Sequence, residues 1–303
     1  MDGPHGIFID NDENVYIADF ENSRVMEWKL NSTNGQIVVG ENGQGNQLNQ
    51  LDRPTHMIID KVDNSLIIAD WANRRVVRWP RQNKANAEIL IEDIDCYGLT
   101  MDKDRSLYVS NWKKNEVRRW KIGEKNGMLV AGGNREGSRL NQLSWPTFIF
   151  VDEHYTLFVS DFLNHRVVKW LKDAKEGIVI AGGNSSGDSL NQLSRPQGIF
   201  VDQLGRLYVV DSDNHRVMLW HNGAKEGTIL VGGNDEGNEL NQLNYPYGLS
   251  FDGYGNLYVS DYLNNRIQKF EIDTTKIFED GEKNALNHGT SFPSTYRHKI
   301  KIK

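Results

Sequence analysis

Short apolar runs, four to six residues long and rich in Val, Ile, Phe and Tyr, recur along the whole chain between clusters of Gly, Asn and Asp. Runs of this length and composition, closed off by turn residues, predict β-strands. Between Pro146 and Pro196 they are Phe148 to Asp152, Leu157 to Asp161, Arg166 to Trp170 and Gly177 to Ala181. The links between them are too short for parallel crossovers, so neighbouring strands must be antiparallel. Apolar side chains fall on both sides of a run, with Ile199 and Val201 on one and Phe200 on the other. A sheet covered on both faces needs that pattern. No segment holds a long helical period.

The pattern is also periodic. Pro146-Thr-Phe-Ile-Phe-Val-Asp152 returns as Pro196-Gln-Gly-Ile-Phe-Val-Asp202 and Pro246-Tyr-Gly-Leu-Ser-Phe-Asp252, with earlier copies at Pro4 and Pro54 and a divergent one at Cys96. Four strands at this period suit a propeller blade, and six copies close one ring. The expected fold is all-β, a six-bladed β-propeller with four antiparallel strands per blade. One domain is expected over residues 1–283, with repeats at 4–53, 54–95, 96–145, 146–195, 196–245 and 246–283. In the last repeat Lys276 to Glu279 is expected as a weak outer strand, and residues 284–303 as a loosely ordered tail.

At the level of motifs, Pro196 to Val217 resembles the NHL repeat, and Asp211-x-x-Asn214-His215-Arg216-Val217 is its most diagnostic part. The resemblance runs from residue 4 to about residue 270. It implies a six-bladed propeller and leaves function broad. Propellers of this kind occur in tripartite-motif ubiquitin ligases, RNA-binding regulators, bacterial sensors and an amidating lyase.

Two polar motifs recur in phase. Asp10, Asp60, Asp102, Asp152, Asp202 and Asp252 end the first strand of each repeat, where a carboxylate can accept backbone N–H bonds in a tight turn. An Asp-x-x-Asn-x-Arg motif runs from Asp19, Asp70, Asp161, Asp211 and Asp261 to Arg24, Arg75, Arg166, Arg216 and Arg266; the third repeat has Asn111 and Glu116 instead. Joint loss of both charges predicts that the two side chains pair. Trp28, Trp79, Trp120, Trp170, Trp220 and Phe270 share one position and are expected between blades.

Charge and chemistry narrow the function. Lys and Arg total 35 against 41 Asp and Glu, a net charge of −6, which lacks the broad basic footprint of a duplex binder. Cys96 is the single cysteine, so no intramolecular disulfide forms and no RING-type zinc framework exists. No signal peptide or membrane-length apolar segment is seen, and the chain reads as soluble and monomeric. Asn31-Ser-Thr33 and Asn184-Ser-Ser186 are glycosylation sequons, and the compartment stays open. His165 and His215 hold one turn position on adjacent blades, too far apart to share a metal at ~2 Å. No catalytic residues, metal ligands or cofactor are assigned.

Function is therefore expected where the repeats differ. The loops before each first strand and the turns between second and third strands emerge on one face, called top here. It should carry Phe20, Arg53, Trp71, Tyr97, Trp112, Trp145, Phe162, Arg195, Tyr245, Tyr247 and Tyr262. The long Gly-Gly-Asn-x-x-Gly-x-x-Leu-Asn-Gln-Leu connection is missing after the second repeat, which predicts a notch beside Asp95 to Tyr97. Aromatics mixed with Arg suit a binding scaffold for a protein or peptide. The alternatives are single-stranded RNA on the same face, and a metal-dependent hydrolase or lyase in the central channel.

Overall fold

A computed structural model describes residues 1–82, 87–121 and 123–272 in full, and residues 296–302 as a backbone strand. Blade 1 comprises β1 (Pro4–Ile9), β2 (Val15–Asp19), β3 (Arg24–Trp28) and β4 (Gln36–Val39). Blade 2 has β5 (Pro54–Asp60), β6 (Ser65–Asp70), β7 (Arg75–Pro80) and β8 (Glu88–Ile91). Blade 3 has β9 (Cys96–Met101), β10 (Leu107–Asn111), β11 (Glu116–Trp120) and β12 (Met128–Gly132). Blade 4 has β13 (Pro146–Val151), β14 (Leu157–Asp161), β15 (Arg166–Trp170) and β16 (Ile178–Gly182). Blade 5 has β17 (Pro196–Val201), β18 (Leu207–Asp211), β19 (Arg216–Trp220) and β20 (Thr228–Gly232). Blade 6 has β21 (Pro246–Phe251), β22 (Leu257–Asp261) and β23 (Arg266–Ile272), joined by β24 (Tyr296–Ile302) from the end of the chain. Each sheet is an antiparallel meander, and the six form the expected propeller.

The sixth blade differs from expectation in one strand. The proposed outer strand at residues 276–279 lies outside the described residues. The outer place beside β23 is taken by β24, in antiparallel register with Ile267 opposite Ile302. Part of the supposedly loose tail is therefore paired. The alternation of Tyr296, His298, Ile300 and Ile302 with charged residues is a strand pattern, and β23 offers an unpaired edge.

The polar repeats act as the sequence predicts. Asp202 Oδ1 accepts the N–H groups of Leu204 and Arg206, and Asp252, Asp152, Asp102 and Asp10 do the same in their own turns. The tryptophans lie buried between blades; Trp79 packs with Tyr16, Val25 and Val39 of the preceding blade. Inner strands come very close around the axis. A Cβ on Gly98 would sit 2.4 Å from the Thr147 carbonyl oxygen, and one on Gly248 2.4 Å from that of His5, so only glycine fits.

Candidate functional site on the top face

Strand register builds the face. Pro196 lies opposite Asp211, and Asp211 opposite Arg216, so the start of each inner strand and the turn after each second strand share one end of a blade. Asp211 is fully buried, and its Oδ2 receives Arg216 Nε at 2.7 Å. The same pair closes at 2.7 Å for Asp19–Arg24, Asp70–Arg75 and Asp161–Arg166, and at 2.5 Å for Asp261–Arg266. Burial is the largest influence on the Asp70, Asp161, Asp211 and Asp261 carboxyls and raises their pKa values, while the Arg and hydrogen bonds pull the other way.

The arginine does more than pair. Arg75 Nη1 donates to the Asn46 carbonyl at 2.7 Å, and Nη2 to those of Gln47 and Gln50 at 2.9 and 3.0 Å. Arg166, Arg216 and Arg266 each hold three carbonyls of the connection before their own blade. Asn73, Asn164, Asn214 and Asn264 add one more, to Gly45, Gly137, Gly187 and Gly237. The motif is a clamp on the incoming connection. Blade 3 follows the short link from Ile91 to Cys96, so it has no such loop to hold. There Asn111 Oδ1 accepts the Lys114 N–H and Glu116 pairs with Arg118 at 2.8 Å.

A second device ties blade to blade. Residues in the left-handed region at the end of the turn offer a side-chain acceptor to the next blade's backbone. Asn115 Oδ1 takes the Trp145 N–H at 2.8 Å, His165 Nδ1 that of Arg195 at 3.2 Å and His215 Nδ1 that of Tyr245 at 3.1 Å. Asn265 Oδ1 takes the Gly3 N–H at 2.8 Å and so links the last blade to the first. The two histidines are thus structural acceptors. Burial, then the Arg195 charge, lowers the pKa of His165.

The aromatic residues meet in an arc. Tyr262 lies 4.7 Å from Tyr247, and Tyr247 stacks 4.3 Å from His5. His5 stacks 4.2 Å from Phe20, which leads to Trp71 at 5.9 Å and Trp112 at 6.3 Å. Trp112 stacks on Trp145 at 4.5 Å, followed by Phe162 at 6.3 Å, with the Arg195 guanidinium 5.6 Å from that ring. The arc breaks at Ser212, which is buried. Trp145 is 36% exposed, Arg53 and Arg195 are exposed, and Phe20, Trp71, Trp112, Phe162, Tyr245, Tyr247 and Tyr262 are half-buried. Tyr245 stands apart from the arc, edge-on to His215 at 4.8 Å.

Tyr97 departs from the expected surface position. It is 7% exposed and reaches across the axis, 6.1 Å from His5 and 5.7 Å from Phe148, on two other blades. His56 and Phe148 also meet, at 5.1 Å, where other blades carry glycine. These rings close the channel beneath the arc. Burial brings the pKa of His5 down to about 3 and that of His56 to about 4, so both imidazoles are neutral at physiological pH. His5, at the variable position just after the first Pro, joins the arc by stacking between Tyr247 and Phe20. The expected notch is narrowed by Arg74, whose Nε reaches Asp95 at 2.8 Å.

Comparison with known proteins fits this architecture. The profile of the NHL repeat matches residues 1–26 and 193–217. The chain carries NHL repeats. No curated protein matches it in sequence. Among solved structures, the NHL-repeat chain is similar to a Bacteroides thetaiotaomicron protein of unknown function at 16% identity and TM-score 0.70, over 88% of this chain and 69% of that one. It is also similar to Staphylococcus aureus virginiamycin B lyase at 14% identity and TM-score 0.60, over 88% and 80%. A chain of a nidogen/laminin complex aligns at 15% identity and TM-score 0.63, over 84% and 88%. At these identities the likeness concerns the fold. No helix among the described residues is long and apolar enough to cross a membrane.

Proposed function

We propose that the NHL-repeat propeller is a binding module whose top face takes a protein or peptide. The observation that carries this reading is the arc of half-exposed rings from Tyr262 to Phe162 over a closed axis. Aromatic side chains held rigid by their neighbours offer large contact area at little further entropic cost. The arginines on this face already have acidic partners: Arg74 with Asp95 at 2.8 Å, Arg195 with Asp213 at 3.5 Å and Arg53 with Glu21 at 3.8 Å. A face so neutralised suits an uncharged peptide better than an RNA backbone. With Tyr97, His56 and Phe148 filling the axis, a ligand would lie across the face and not in a channel.

Trp145 is the decisive residue. Trp71 and Trp112 also pack on the core cluster around Tyr97 and Phe148, so their loss mixes packing with recognition. Peptides selected on the wild-type protein from a displayed library should bind Trp145→Ser about tenfold more weakly, with an unchanged melting temperature. Leu204→Ser and Tyr254→Ser, at turns of the opposite face, should bind as wild type. Peptides that bind Trp145→Ser undiminished would overturn this reading.

A further inference from the structure

One seam of the propeller lacks an aromatic side chain that the other five carry. Tyr16, Tyr108, Phe158, Tyr208 and Tyr258 hold one position on the second strand of their blades. Each packs in a cluster with the next blade's aromatic: Tyr16 with Trp79, Tyr108 with Trp170, Phe158 with Trp220, Tyr208 with Phe270 and Tyr258 with Trp28. Blade 2 has Ile67 there, opposite Arg78 in register and in a cluster with Trp120. The four tyrosine hydroxyls lie 3.2 to 3.4 Å from Oδ2 of Asp10, Asp102, Asp202 and Asp252. In blade 2, Arg105 Nη2 reaches Asp60 Oδ2 from the neighbouring blade at 2.6 Å instead. The arginine replaces the polar link and not the volume of the ring. A cavity remains at this seam, about 410 Å³ of empty space counted out to its open mouth, walled by Ile67, Leu90, Met101, Leu107 and Trp120 with Arg78 and Arg105 beside them.

We propose that this cavity binds a small neutral phenol, whose ring takes the place of the ring missing at Ile67. The five sister seams define the size and shape that fit, since each holds one six-membered ring against the same structural position. Apolar walls and the Trp120 indole suit an aromatic ring. The polar end is set by the two arginines. Among the described residues, Arg78 Nε and Arg105 Nε are buried without an acceptor. A buried donor left unpaired is costly, so an oxygen placed there gains more than it would at the surface. Charge decides for a neutral ligand: Arg78 already pairs with Glu88 at 2.7 Å, and Arg105 with Asp60 and Asp63. A carboxylate ligand would meet those three carboxylates at close range. The cavity lies beside the turn from Asp102 to Ser106, at the end of the blades opposite the aromatic arc, so its use is independent of that face.

The test uses the full chain and p-cresol, the tyrosine side chain as a free molecule, followed by ligand-observed NMR titration. One-site saturable binding is expected, with a dissociation constant of about 1 mM or tighter. Toluene lacks the oxygen and benzoate is charged, so each should bind about threefold more weakly or worse. Ile67→Tyr and Ile67→Phe rebuild the ring from within, as in the sister blades. Both variants should melt no lower than wild type and bind p-cresol about tenfold more weakly or worse. Absence of saturable binding to the wild type, toluene or benzoate binding as well as p-cresol, or full affinity in either folded variant overturns the proposal. Melting well below wild type in both variants also overturns it, since the cavity would then not accept a ring.

Discussion

A single buried carboxylate shows how much one residue can organise. Asp211 accepts from Arg216, from Asn214 and from the Ser194 N–H, and all of its partners lie within one end of the blade or the loop before it. Arg216→Ala strands that carboxylate and frees three carbonyls, so it should destabilise by about 3–5 kcal/mol in urea melts. The joint change to Asn111 and Glu116 pointed correctly to pairing. The reason for the change lies in the missing loop, which a side-chain pattern cannot reveal because the acceptors are backbone carbonyls. His165 offers a pH test. Its pKa is lowered in the fold and its Nδ1 must stay unprotonated to accept the Arg195 N–H. The unfolded chain therefore binds the proton more readily, and stability should fall as pH drops below about 6.5. Asparagine already serves this role at Asn115 and Asn265, so His165→Asn should melt like wild type at pH 7.5 and lose less on acidification. An unchanged pH profile would count against this account.

At the scale of elements, the connections belong to the core as much as the strands do. Leu51, Leu143, Leu193 and Leu243 end the four long connections and are fully buried, and Leu193 sits in a cluster with Val167, Val209 and Met218. Leu193→Ala should cost about 2–5 kcal/mol, as in the interior of a strand, although Leu193 lies in a loop. Guanidinium melts of that variant beside Leu190→Ala, a more exposed leucine of the same loop, check the contrast. Strand positions, the turn role of the repeated Asp and the inter-blade tryptophans were all legible from periodicity, because each is written six times or nearly so. What is written once was not. Tyr97 and Tyr247 share a register position and a residue type, yet only Tyr97 lies buried across the axis. Similarly, β24 could not be foreseen because its pairing spans the residues between Ile272 and Tyr296.

For the molecule as a whole, the arc of rings and the clamps follow from the same arrangement. Loops from neighbouring blades are gripped at the rim, which holds the turns carrying Trp71, Phe162 and Tyr262 in fixed relation to the axis. The clamps are not evenly spread around the ring. Seams between blades 1 and 2, 3 and 4, 4 and 5, and 5 and 6 each have a gripped loop; the seam between 2 and 3 is crossed by the Arg74–Asp95 and Arg105–Asp60 pairs and the Leu99–His56 bond, and that between 6 and 1 by the Asn265–Gly3, Gly253–Glu13 and Tyr262–Glu21 bonds. Among the described residues, gripped loops join blades 1 and 2 in one arc and blades 3 to 6 in the other. Cooperative units of opening follow the density of contacts that cross each boundary. Native-state hydrogen exchange should show β1 to β8 losing protection together and ahead of β9 to β23, as a door opens on two hinges. Uniform protection around all six blades would mean the weak seams are as strong as the gripped ones.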